Sequence, residues 1–398
     1  MYIEKDQGLM IQGIQMGIMR TVLGAALISL STGGVIAQDD HDFGIDFGID
    51  FVTVDDPGNS AYPGEFGILA GRGSVDYTFR VSRTEITSGQ WMLFVNQFGT
   101  MSDELGDLLR TDIWPAYTDP SYNGPGQRYV YSSGVIHPEL SPVGISWRQA
   151  AMFCNWMHNG RSDDPQTLFY GVYDTSTFTR NDDENTFNDQ DTHFPGARYW
   201  IVTLDEYLKA VYYDPDKNGH GPGWWEFGHS SDEPPVYGMP GVGDVGRELG
   251  EEELIQLAGL PSPSFIPLGI YTNAQSPWGL LDVLGGNTDF VEDWGPDVYR
   301  RARARKYAGN TSFFYDYRGD RVWDLQLIDP RADGGFRIAS LPRPAADLNH
   351  DWNVNFFDVS RFIELYMASD STADFDGDGE LDTDDVYRFL ELYQDANM

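Results

Sequence analysis

The chain repeats itself near its end. DLNHDWNVNFFDVSRFIELY, from Asp347, aligns with DFDGDGELDTDDVYRFLELY, from Asp374, at an offset of 27 residues. Each copy runs from an oxygen-rich stretch into DVSRFIELY or DVYRFLELY, whose apolar residues recur at helical spacing. One such copy has nothing to bury its apolar face against. The two are therefore predicted to pair across a pseudo-twofold, with Val359, Phe362 and Leu365 facing Val386, Phe389 and Leu392. Residues 345–398 carry fourteen acids against two arginines, so the loops repel themselves unless a cation sits among them.

The second loop has the sharper pattern. Asp374, Asp376, Asp378, Glu380 (through its carbonyl), Asp382 and Asp385 stand at loop positions 1, 3, 5, 7, 9 and 12, with Gly379 at the tight-turn position 6. That spacing wraps a chain around one hard cation. The first loop offers Asp347, Asn349, Asp351, Asn353, Asn355 and Asp358, but Trp352 holds position 6. It must bend without glycine and is expected to bind more weakly. Aspartate at position 12 in both copies resembles type I dockerin loops, a paired calcium-binding arrangement of EF-hand type. The resemblance implies calcium as cofactor and a cohesin-like or cell-surface protein as partner. Positions 10 and 11 carry Phe356-Phe357 and Thr383-Asp384 where those modules carry matched alcohols.

Ahead of this module lies enough chain for a larger body. Of 398 residues, 41% are hydrophobic and 14% aromatic, which suffices for a sizeable core. Forty-four glycines and twenty-two prolines predict many turns and little regular structure. A net charge of -36 excludes nucleic acid as a partner, since that binding needs Lys and Arg to neutralise phosphates. After Arg20, TVLGAALISLSTGGVIA ends in small residues and is followed by QDDHD. This reads as a secretory signal over 1–37, with the start at Met1, Met16 or Met19 left open. The expected mature chain begins near Gln38, is secreted or held at the cell surface, and has no membrane span. Cys154 is the lone cysteine, so no intramolecular disulfide is available.

QDDHDFGIDFGID (38–50) reads as an acidic linker, 51–341 as the body, and the prolines of LPRPAAD as a boundary before 345–398. Three helices in the body are announced by capping boxes, in which a hydroxyl and a later side chain satisfy opposite backbone donors. They are Thr87 with Gln90 before WMLFVNQF, Ser146 with Gln149 before AAMFCNWMHNG, and Thr203 with Glu206 before YLKAVYY. In the second helix Trp147, Ala151, Cys154 and Met157 share one face, so Cys154 is expected to be buried packing rather than a nucleophile.

Five separated segments, VDYTFRVSRTEITSGQWMLFVN, SPVGISWRQAAMFCNWMHNG, ARYWIVTLDEYLKAVYYDP, SPWGLLDVLGGNTDFVEDW and GGFRIAS, resemble the sulfatase-modifying factor, or formylglycine-generating enzyme, family in their order. The resemblance covers most of 51–340. It implies an α+β body of C-type-lectin-like fold with low regular secondary structure, followed here by the small α-helical calcium-loop module. Oxidising members use a late pair of cysteines to bind copper, and the matching window, from Tyr307 to Arg337, has none. Cys154 matches neither position. A thiolate pair has no substitute in Ser or Tyr as a soft copper site, so copper is not expected, and iron is not either, because H-x-x-x-H-x-E is absent. The chain is thus read as a non-catalytic, ligand- or partner-binding member. The alternative is a divergent oxygen-using metalloenzyme, formylglycine-generating or nonheme-iron in type.

The resemblance further implies a calcium cradle in SPWGLLDVLGGNTDFVEDW, held by Asp282, Gly285 and Asn287 (both by carbonyl) and Asp289. Oxygen donors, flexible glycines and the absence of any Lys or Arg within the stretch agree with it. Finally, Arg301, Arg303 and Arg305 alternate with alanines as in a strand with one charged face. They are a candidate site for an anionic glycan, or else partners of local acids.

Overall fold

The computed structural model describes residues 46–64, 71–98, 116–119, 121, 128–131, 138–181, 186–187, 189–236, 238, 240–244, 267–284, 289–294, 301–304 and 334–397. The proposed signal, the first part of the acidic stretch, Gly285, Asn287, Arg305 and most of the cysteine-free window lie outside them. The chain divides into two compact units, one to Ser340 and one from Leu341. The whole is a mixed α/β protein of small sheets and five α-helices among the described residues.

Along the larger unit come β1 (Phe51–Val54), β2 (Phe79–Ser82), α1 (Ser88–Gln97), β3 (Ala116–Thr118), β4 (Tyr129–Tyr131) and α2 (Trp147–His158). They are followed by β5 (Arg180–Asn181), β6 (Thr186–Phe187), β7 (Tyr199–Ile201), α3 (Leu204–Tyr212), β8 (Tyr213–Asp214) and β9 (Gly223–Trp224). The last are β10 (Asp289–Trp294), β11 (Arg301–Ala304), β12 (Gly335–Phe336) and β13 (Ile338–Ser340). The main sheet runs β1-β2-β13-β7 and a second runs β11-β10-β12. β13 is antiparallel to both of its neighbours, with Ala339 opposite Val81 and Trp200.

All three capping boxes form. Thr87, Ser146 and Thr203 each accept from the backbone of the residue three on, and Gln90, Gln149 and Glu206 reach back to the cap amide. α2 ends as its sequence suggests, with Gly160 at φ 71°. It differs in how much it buries: from Trp147 to Met157 only Arg148 stays partly exposed. The aromatics of α1 cover one side of it, with Phe153 between Trp91, Phe94 and Phe336. On the other side the Asn155 amide donates to the carbonyls of Leu168 and Tyr173. Cys154 is fully buried.

The packed body starts earlier than the linker reading allows. Phe47 is buried edge-on against Trp156, at 4.8 Å between ring centroids. Asp46 accepts from Arg80 and from the Tyr199 hydroxyl, and Asp50 from Arg83. The second FGID, with the Asp46 that precedes it, is thus part of the fold: Phe47 and Ile49 are buried, and Asp46 and Asp50 find arginines.

The smaller unit holds α4 (Phe356–Met367) and α5 (Thr383–Asp395). Its core is Ala346, Leu348, Phe362, Leu365, Ala373 and Phe389, with Val359, Val386 and Leu392 packed against it. Phe362 and Phe389, 27 residues apart, stack face to face at 4.3 Å.

Candidate functional site

The two loops of the smaller unit share one hydrogen-bond frame. In the first, Asp358 Oδ1 accepts from the amides of Leu348 and Asn349, and Oδ2 from Asn355. In the second, Asp385 Oδ1 accepts from Phe375 and Asp376, and Oδ2 from Asp382. The position-1 acids behave alike: Asp347 accepts from the amides of Asp351 and Trp352, and Asp374 from those of Gly377 and Gly379. Positions 4 and 6 take positive φ in both copies, at His350 (64°) and Trp352 (68°) and at Gly377 (75°) and Gly379 (87°). The loop therefore needs the left-handed turn whatever residue supplies it, and Trp352 bears the strain that glycine avoids.

Both position-12 carboxylates are fully buried. At Asp385 the amide of Asp382, aided by those of Asp376 and Phe375, holds the carboxyl below its ordinary value. Within the second loop, Asp374, Asp376 and Asp378 bring carboxylate oxygens to within 4.8 Å of one another, the sole such group of His, Cys, Asp or Glu among the described residues. Asp376 shows the crowding. The amide of Asp378 pulls its pKa down, but burial and the charges of Asp378, Asp385 and Asp374 raise it overall. Hard oxygen donors in mutual repulsion fit a calcium-sized cation. The first loop presents amides at Asn349, Asn353 and Asn355, which turn to neighbouring loop groups.

Of the expected cradle, Asp282 and Asp289 are described and both have protein partners, while Gly285 and Asn287 lie outside the described residues. Arg337, from GGFRIAS, is fully buried and pairs with the equally buried Asp289 at 3.1 Å. Its other nitrogens donate to the carbonyls of Ser82, Arg83, Leu281 and Asp282. Asp282 adopts φ 54° and its carboxylate accepts from the Gly269 amide at 2.7 Å. No Lys or Arg lies within the loop itself, but a guanidinium arrives from 48 residues beyond Asp289 and meets that acid and two loop carbonyls. Arg301 and Arg303 lie on β11, opposite Trp294 and Phe290 of β10.

The body also carries a cleft of about 570 Å³ lined by Asp76, Tyr77, Asp191, Asp205, Glu292 and Asp293, among others. Asp205 comes from the first turn of α3, and Glu292 and Asp293 from β10; Arg72 bridges Asp205 and Asp293. Two carboxylates here are buried, Glu292 of the lining and Glu206, which meets the lining residue Tyr77. Glu292 accepts from the Tyr173 hydroxyl and from the amide and Nδ1 of His193. Glu206 accepts from the Tyr77 hydroxyl, Trp200 Nε1 and the Thr203 amide. Burial raises the Glu206 pKa despite those donors, with Glu292 adding to the rise. The His193 ring stacks on Trp200 at 4.7 Å. Burial alone would lower its pKa; the hydrogen bond and charge of Glu292 outweigh that, and the net shift is upward. Such a cleft accepts hydrogen bonds and positive charge, and repels anions. Cys154 offers no nucleophile to it: burial, then the charge of Glu292, push the thiol well above its ordinary value, which disfavours the thiolate.

Sequence reasoning found the loops and missed the cleft. Glu206 carried a visible signal, but as the third residue of a capping box, and nothing local tied it to Tyr77 or placed His193 on Glu292.

No family model matches the chain, and no curated protein matches it. Among solved structures it is similar to the crystal structure of CarF, with 15% identity over 74% of this chain and 98% of that one, at a TM-score of 0.42. It is also similar to variable protein 1 of Treponema denticola, with 14% identity over 73% and 95%, at 0.38. At these TM-scores neither likeness assigns a fold.

Proposed function

We propose that the chain is a secreted, non-catalytic binding protein: a body of the sulfatase-modifying-factor type that binds a ligand or partner, tethered through a calcium-dependent, dockerin-like module. The observation that carries the proposal is the twelve-position frame built twice, with the Asp374, Asp376 and Asp378 carboxylates converging in the second copy. Asp374, Asp376, Asp378, Asp382 and Asp385 with the Glu380 carbonyl would hold calcium, whose charge offsets their repulsion. Tethering is supported by the outer faces of the two helices. Phe356, Ile363 and Met367 lie on one stripe of α4, and Tyr387 and Leu390 on the matching stripe of α5, all exposed. A cohesin-like or cell-surface protein is the partner we assign to them. The proposal does not extend calcium to the 282–289 loop, where Arg337 already neutralises Asp289. In the body, the acidic cleft favours a cationic or polyhydroxylated ligand over the anionic glycan that Arg301 and Arg303 suggest.

Calorimetric titration of the full chain with calcium tests the module. Uptake is expected with a gain of helix by circular dichroism, reversed by chelator. Asp374→Ala or Asp385→Ala should weaken it more than Asp347→Ala, because the second loop has more carboxylates and its glycine turn. Equal losses, or full helix in chelator, would sink the reading.

A further inference from the structure

The two loops share a frame but not a charge. Carried upstream, the 27-residue offset aligns Arg343 with Asp370, His350 with Gly377 and Trp352 with Gly379. The alignment is structural as well: Asp347 donates its amide to the Pro344 carbonyl, and Asp374 to that of Ser371. In the first copy the three substituted side chains form one cluster. Arg343 Nε lies 3.6 Å from Asp347 Oδ2, and Nη1 donates to His350 Nδ1 at 3.2 Å. The guanidinium carbon sits 5.1 Å from the centre of the Trp352 ring. The Asp347 side chain is fully buried and that of Arg343 only 12% exposed, so water screens the pair poorly. In the second copy the equivalent Asp370 turns to the amide and hydroxyl of Thr372 and brings a negative charge instead.

We infer that Arg343 is a built-in counter-ion for the first loop. It holds the position-1 carboxylate in place without metal, and it opposes a divalent cation there, leaving the second loop as the tighter calcium site. A calcium ion bound through Asp347 would face the guanidinium across a few ångströms of poorly screened space, so it must displace Arg343 or bind against its charge. The same arrangement accounts for Trp352. A large aromatic at positive φ is strained, and here its ring face is the platform on which the guanidinium lies. Arg, His and Trp in the first copy therefore do with side chains what Gly377, Gly379 and a metal ion would do in the second.

This inference rests on the calcium reading, and the test separates the two. In the full chain, the second loop is disabled by Asp374→Asn with Asp376→Asn, and calcium affinity of the first loop is measured by calorimetry with Arg343 or Arg343→Gln. Removal of the guanidinium should tighten the first loop on the order of tenfold, the scale of one poorly solvated ion pair. Arg343→Lys, which keeps the charge, should stay near the parent. Circular dichroism in saturating calcium should show the helix content of Arg343→Gln unchanged. Unaltered or weaker affinity in Arg343→Gln overturns the inference while leaving the second-loop site standing. Loss of helix that calcium does not restore also overturns it, by making Arg343 a purely structural residue. If the chain with both loops intact takes up no calcium, the underlying reading falls, and this inference with it.

Discussion

His193 sits where two opposing effects meet. Its ring is largely enclosed and stacked on Trp200, which disfavours charge, while Glu292 favours it through both nitrogen and amide contacts. The upward net shift means that the carboxylate outweighs burial. A raised histidine pKa gives stability that is fully present below the unfolded value of 6.5 and lost as pH rises through the folded one. Nuclear magnetic resonance titration of the His193 imidazole should therefore give a midpoint above 6.5 in the parent. In Glu292→Gln burial remains with only the charge of Glu206 against it, so the midpoint should fall. A midpoint that does not move would show that the contact contributes nothing to the proton balance of the cleft.

At the scale of elements, what sequence shows and what it hides separate cleanly. The capping boxes were legible because both partners lie within four residues, and the paired loops because the repeat exposes its own register. Burial of Cys154 followed from the face it shares with Trp147 and Met157. Phe47 docking on Trp156, and the meeting of Arg337 with Asp289 and four distant carbonyls, were not legible. Each joins segments whose proximity exists only after folding. Glu206 belongs to both classes and lets them be compared. Thr203→Ala removes a local cap and should cost about 1 kcal/mol in urea denaturation of the body. Glu206→Ala also removes the acceptor of Tyr77, Trp200 Nε1 and the Thr203 amide. With the buried Trp200 donor orphaned at about 1–3 kcal/mol, and two part-buried donors losing their acceptor besides, it should cost at least twice as much. If the two variants are equally stable, the buried acceptor role is wrong and Glu206 is a cap alone.

At the scale of the molecule, the two units have unequal means of staying folded. The larger one buries aromatic residues from each of its described α-helices. The smaller one relies on six buried side chains, and the single cysteine lies in the other unit. A core of that size is marginal without a staple, and a cation among its acids would serve as one. Scanning calorimetry of the full chain should show two transitions. Chelator should lower that of the smaller unit by on the order of 10 °C or more and leave the larger unit's in place. A chelator shift shared by both transitions, or absent from both, would contradict this division.

The order of strands in the main sheet sets a schedule. β13 lies between β2 and β7 yet is the last of the four in sequence. On a ribosome moving at roughly 5–20 residues per second, β2 would emerge tens of seconds before the strand that must pair with it. Until then β2 and β7 each lack the partner that covers an edge, and Arg337, just ahead of β13, has not yet reached its carbonyls. A nascent body cut short before Ile338 would thus present bare strand edges rather than a smaller fold.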